Sequence, residues 1–78
     1  MMKIFFVKQA LKSIERLDKA TKQRIHQAIY KLPEGDIKRL KGYSLLYRLR
    51  VGDWRIIFQA DANEIIIENI LPRGSSYK

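Results

Sequence analysis

The chain has 78 residues, 16 Lys and Arg against 8 Asp and Glu for a formal charge of +8, one His and no Cys. That length supports one small domain, residues 1–78, burying roughly 60–65% of the surface its unfolded chain exposes, which excludes a second core and the cleft of a larger enzyme. Lack of Cys excludes disulfides, thiolate metal sites and a thiol nucleophile, and a single His excludes any site that needs two imidazoles, so no cofactor or metal is expected.

A hydrophobic content of 46% separates the chain from disordered basic tails, which lack the apolar residues to offset chain entropy. The run Ile65–Ile67 falls far short of the roughly 20 apolar residues that span a bilayer, and Lys3 and Lys8 interrupt the first ten residues. A cytoplasmic protein with no membrane partner is expected. The positive excess favours an anionic partner, and 10 of the 16 basic residues fall within residues 1–40.

Lys3–Val7 is a short β-rich run and predicts a first strand. Leu11, Ile14 and Leu17 recur at helical spacing, with Lys12, Glu15, Arg16 and Lys19 on the other faces, predicting an amphipathic helix of about three turns. Thr21 is the expected N-cap of a second helix, whose stripe is Ile25, Ala28, Ile29 and Leu32 and whose end is set by Pro33 and Gly35. From Leu45 the period changes to two. Tyr47, Leu49 and Val51 alternate with Leu46, Arg48 and Arg50, and after Gly52-Asp53, Trp54, Ile56 and Phe58 alternate with Arg55, Ile57 and Gln59. A two-residue loop with Gly first fixes a hairpin in which Val51 faces Trp54, Arg50 faces Arg55 and Leu49 faces Ile56. After a turn at Asp61–Asn63, the isoleucine-rich Glu64–Leu71 predicts a last strand covered on both faces. The expected fold is α+β: an N-terminal strand and a helical hairpin with a basic outer surface, then a three-stranded antiparallel meander, in one small sheet of order β-α-α-β-β-β.

This register gathers Arg48, Arg50 and Arg55 with Gln59 on the face away from the core, beside Leu46 and Ile57, with no acidic residue among the expected neighbours on that face. Arg50 and Arg55 sit directly opposite each other, and like charges so placed are destabilising by about 0.2–1 kcal/mol. One reading is a solvated sheet face whose arginines serve solubility and block edge pairing. The other is a site for closely spaced anions, since guanidinium forks match phosphate oxygens. The tail adds Arg73 and, at Tyr77, an aromatic ring able to stack on a base and a hydroxyl able to exchange a proton.

The hairpin Tyr47–Arg55 follows the pattern Y-[KR]-x-[KR]-x-G-[DE]-[YW]-R, and the end follows H-R-x-x-x-Y with Pro72 in place of His, then Arg73 and Tyr77. With the preceding strand and helical hairpin, this resembles the RelE/ParE superfamily of type II toxin–antitoxin toxins over nearly the whole chain, and its RelE-like branch more closely. The resemblance implies a ribosome-dependent endoribonuclease that cuts mRNA in the A site without a metal. It implies that Arg55, Arg73 and Tyr77 are catalytic and that Arg48 and Arg50 bind the RNA phosphates. It further implies an acidic, partly disordered antitoxin that silences the toxin and carries the pair to its operator. Alternatives within the superfamily are a ParE-like inhibitor of DNA gyrase and a catalytically degenerate nucleic-acid-binding homologue.

Overall fold

The structure, a computed structural model, describes residues 3–40, 42 and 46–72. Strand β1 (Lys3–Phe6) leads into helices α1 (Lys8–Glu15) and α2 (Lys19–Tyr30), followed by β2 (Asp36–Arg39), β3 (Leu46–Val51), β4 (Trp54–Ala60) and β5 (Glu64–Pro72). The strands form one sheet in the order β1-β5-β4-β3-β2, antiparallel except where β1 lies parallel to β5. A parallel pair cannot be joined by a tight turn, and the helical hairpin is part of the long connection that returns the chain to β1. The α+β class expected from the sequence is therefore the class observed, with the meander extended by one short strand, β2.

The helices cover one face of the sheet. Ala10 and Ile14 from α1, Ile25 and Ile29 from α2, and Leu49, Ile56, Phe58, Ile65, Ile67 and Ile70 from the sheet form the buried cluster. Each fully buried aliphatic side chain of this size contributes about 1.5–3 kcal/mol through removal from water. The α2 stripe is as expected, with Ala28 and Leu32 packed against the cluster beside the two isoleucines. The first helix differs. Leu11 is 47% exposed and Ala10 takes its place in the core, while Leu17 lies beyond the helix end and still packs inward. The second helix starts earlier than Thr21: Asp18 is its N-cap, accepting from the Thr21 backbone N–H at 3.1 Å and from the Thr21 hydroxyl at 2.6 Å. A carboxylate three residues ahead of the threonine is the stronger cap, and Thr21 becomes its partner.

The hairpin register is the one expected, with Val51 opposite Trp54, Arg50 opposite Arg55 and Leu49 opposite Ile56. Gly52 has φ +58° and no non-glycine residue described has positive φ, which is the primed turn with glycine at its first corner. Strand β5 is interior, flanked by β1 and β4, and carries a bulge: Ile57 faces Asn69 while Phe58 faces Ile67, leaving Glu68 as the extra residue. Where α2 gives way to β2, Gly35 has φ +127°, and a Cβ there would lie 2.8 Å from Leu49 Cδ1.

Candidate nucleic-acid interface

The face of the sheet turned away from the helices is built from residues that oppose one another across the strands, since cross-strand partners project to the same side. From β2 it takes Asp36 and Lys38, from β3 Leu46, Arg48 and Arg50, from β4 Arg55, Ile57 and Gln59, and from β5 Ile66, Asn69 and Leu71. The three strand arginines expected from the sequence therefore share one face. Arg50 and Arg55 are direct partners, and Arg48 lies two residues along β3 from Arg50.

This face is not uniformly wet. Ile57 is 2% exposed, and its cross-strand partner is Arg48, whose side chain is 17% exposed. The aliphatic stem of an arginine covers apolar surface while its head stays polar, so Arg48 serves both as a lid over Ile57 and as a cation. Arg50, by contrast, is exposed, and Arg55 is half-buried.

Acidic residues do reach this face, contrary to the expectation from the sequence. Asp36 on β2 lies 3.9 Å from Arg48 Nη2 through Oδ1, a charge contact longer than a hydrogen bond, with Asp36 63% exposed. Glu68 is the second: Gln59 donates from Nε2 to Glu68 Oε2 at 2.7 Å, which the bulge makes possible. Neither residue was visible as a neighbour in the hairpin alone. Strand β2 also brings Lys38 opposite Arg48, a cation that the sequence reading did not single out. The cationic side chains concentrate on β2, β3 and β4, and the Glu68 carboxylate is occupied by an amide.

Strand β5 ends at this cluster, with Leu71 opposite Arg55 and Pro72 opposite Trp54. Arg73 and Tyr77, the other two expected site residues, lie outside the described residues. His26 is on the helix side, its ring 5.9 Å from Phe6 and 6.1 Å from Tyr30, and belongs to α2 packing. Among the described residues no three His, Cys, Asp or Glu side chains group as a metal site requires, and no helix is long and apolar enough to cross a membrane. Such a face offers closely spaced cations on rigid strands, able to hold phosphate oxygens and oppose charge that grows on them.

Comparison with known proteins agrees with this geometry. Residues 4–77 match the family model described as ParE toxin of type II toxin-antitoxin system, parDE. Toxin RelE3 of Methanocaldococcus jannaschii is 32% identical over 97% of this chain and 96% of its own length. Among solved structures, the archaeal RelE–RelB complex from Pyrococcus horikoshii superposes with a TM-score of 0.76 at 27% identity, covering 96% of this chain and 98% of that one. The RelB–RelE antitoxin–toxin complex from Methanococcus jannaschii gives 0.75 at 28% identity over 87% of this chain and 88% of that one. On the hairpin motif, the sheet order and these matches, the chain belongs to the RelE/ParE superfamily of type II toxin–antitoxin toxins, on its RelE-like side.

Proposed function

We propose that the chain is a ribosome-dependent endoribonuclease that cuts mRNA in the A site and so inhibits translation. The observation that carries this reading is the direct opposition of Arg50 and Arg55 on a sheet face that also holds Arg48 and Lys38. Closely spaced guanidinium and ammonium groups on rigid strands match successive phosphates of a polyanion laid across them.

The reaction is attack of a ribose 2′-oxygen on the adjacent phosphorus. The bond from phosphorus to the 5′-oxygen breaks, leaving a 2′,3′-cyclic phosphate and a 5′-hydroxyl, with the 2′-hydroxyl proton released to water and one proton delivered to the leaving oxygen. Arg48 and Arg50 hold phosphates of the bound strand. Arg55 and Arg73 oppose the charge that builds on the reacting phosphate, and Tyr77 exchanges a proton with the reacting oxygens. Arginine keeps its proton at any working pH, so Arg48 and Arg50 act as cations and not as the base. The ribosome supplies alignment of the mRNA, and no metal enters.

The toxin's partner is an acidic antitoxin, in keeping with the RelB chains that accompany the RelE chains in the solved relatives. A charge of +8 favours a partner of opposite sign that folds on binding to the basic helical hairpin and the sheet edge and carries the complex to its operator. Purified protein added to programmed ribosomes yields A-site cuts on this reading, and intact mRNA under those conditions would defeat it. The family model's ParE description gives the second reading, inhibition of DNA gyrase through protein contacts. A supercoiling assay on the same preparation separates the two, since gyrase inhibition has no need of Arg55 or Tyr77.

A further inference from the structure

A second cationic feature lies around the corner from the arginine face. An open groove of about 460 Å³ runs between α2 and the end of β3, lined by Arg24 from the helix, Lys31 at its C-cap, Glu34, and Leu49–Val51 from the strand. Arg24 and Lys31 are seven residues apart, two turns along one side of α2, so both cations project on the groove side. Against them stands one acid, Glu34. All three of these side chains and Arg50 are exposed. Strand β2 pairs with β3 only as far as Arg50, so the groove opens at the end of β3 that β2 leaves uncovered.

Arg24 lies beside the β3–β4 turn. A Cβ on Gly52 would lie 3.0 Å from Arg24 Nη2 and 3.7 Å from Cζ, so the guanidinium lies close against the turn. Among the described residues Arg24 has no hydrogen-bond or ion-pair partner. Asp53 is the second residue of that turn, yet no hydrogen bond or ion pair joins it to Arg24, so the guanidinium is a donor fork with its capacity unspent. Arg50 borders the groove and belongs to the arginine face as well, so the two cationic surfaces are continuous around the hairpin end.

We infer that the groove is a second phosphate subsite, in which Arg24, with Lys31 behind it, grips a backbone phosphate of the single-stranded mRNA flanking the linkage held on the arginine face. This rests on the RNA-cleaving reading above. Arg24 is a positioning residue for the strand and takes no part in the bond changes. The half-buried Val51 gives the groove an apolar edge for the sugar of a nucleotide beside the gripped phosphate, and the strand bends round the Gly52 turn to pass from one surface to the other.

The test uses a short fluorescent RNA made uncleavable by 2′-O-methyl groups, titrated with the full chain at several salt concentrations. Each phosphate contact in single-stranded binding contributes about 0.7 to the slope of log K against log salt. Arg24→Gln should weaken binding about 5–20-fold and lower that slope by about 0.7. Lys8→Gln, which removes an equal charge on α1 far from the groove, should leave both within twofold of the parent. RNAs carrying one neutral methylphosphonate linkage at successive positions should show one linkage, outside the reacting one, whose neutralisation weakens the parent and not Arg24→Gln. Equal effects of Arg24→Gln and Lys8→Gln would overturn the inference, as would a loss confined to binding of vacant ribosomes, which would put ribosomal RNA in the groove instead. If the parent binds RNA in this way but cuts no mRNA on ribosomes, the activity reading fails while the subsite stands.

Discussion

Replacing Arg50 with Thr separates stability from function at the centre of the arginine face. Arg50 faces Arg55 across the hairpin and lies two residues from Arg48 on the same side of β3. Two unit charges about 6 Å apart in water repel by roughly 0.7 kcal/mol, within the range of about 0.2–1 kcal/mol measured for opposed pairs on strands. Asp36 is opposite Arg50 on β2, but its carboxylate is 63% exposed and lies 3.9 Å from Arg48, so water screens its attraction to Arg50 and the variant gives up less than it gains. Threonine is β-branched and suits a strand position. The expected outcome of Arg50→Thr is a gain of about 0.2–1 kcal/mol. For a chain of this length that corresponds to a rise in Tm of about 1–6 °C by calorimetry at low salt. The gain should shrink in about 1 M NaCl, where the screening length falls to about 3 Å. Ribosome-dependent cleavage by the same variant should drop about 10–100-fold, from loss of one charge-assisted contact to phosphate. A fall in Tm of more than about 3 °C would show that Arg50 is there for the fold. Cleavage within twofold of the parent would show that it is not there for RNA.

Gly35→Ala should destabilise the protein by about 2–5 kcal/mol in urea unfolding, because φ is +127° there and the new Cβ would sit 2.8 Å from Leu49 Cδ1, in a side chain only 1% exposed and without room to retreat. The carboxyls of Asp18 and Asp61 are both held below the ordinary 3.8, the first by the Thr21 hydroxyl and N–H, the second by the N–H groups of Asn63 and Glu64. Each therefore adds stability that is full above that ordinary value and is lost as pH falls through the lowered one. Asp18→Asn with Asp61→Asn should flatten the acid limb of the Tm–pH curve below about pH 4 while leaving its shape near neutrality unchanged.

The hairpin and its arginine face were legible in the sequence because Gly52-Asp53 admits few turn geometries and a strict period of two on either side leaves only one register that buries Leu49, Ile56 and Phe58. Strand β2 was not, because Asp36–Arg39 offers one apolar residue, Ile37, among three charged ones, and an edge strand that short needs no more than one inward side chain. With β2 came Asp36 and Lys38, the residues that most change the charge pattern of the face. The β5 bulge did leave a trace: the buried isoleucines run 65, 67, 70, and the step of three where two is the period marks the extra residue that turns Glu68 toward Gln59. Thr21 reads as the cap of α2 because it is a hydroxyl ahead of an apolar stripe, whereas Asp18, one residue after Leu17, falls within the periodic stretch of the first helix, and only the structure shows that α1 has ended before it. In the sequence Arg24 is one basic residue among several on a basic helix; only the proximity of the Gly52 turn distinguishes it.

Mapping the ends of an mRNA after incubation with programmed ribosomes and the purified chain tests the central claim most directly. The account predicts cuts within the A-site codon bearing 2′,3′-cyclic phosphate ends, slowed about 100–1,000-fold by Arg55→Ala and by Tyr77→Phe in variants whose circular dichroism matches the parent. Intact mRNA with the parent protein, or cuts that persist at the parent rate without Arg55, would contradict it.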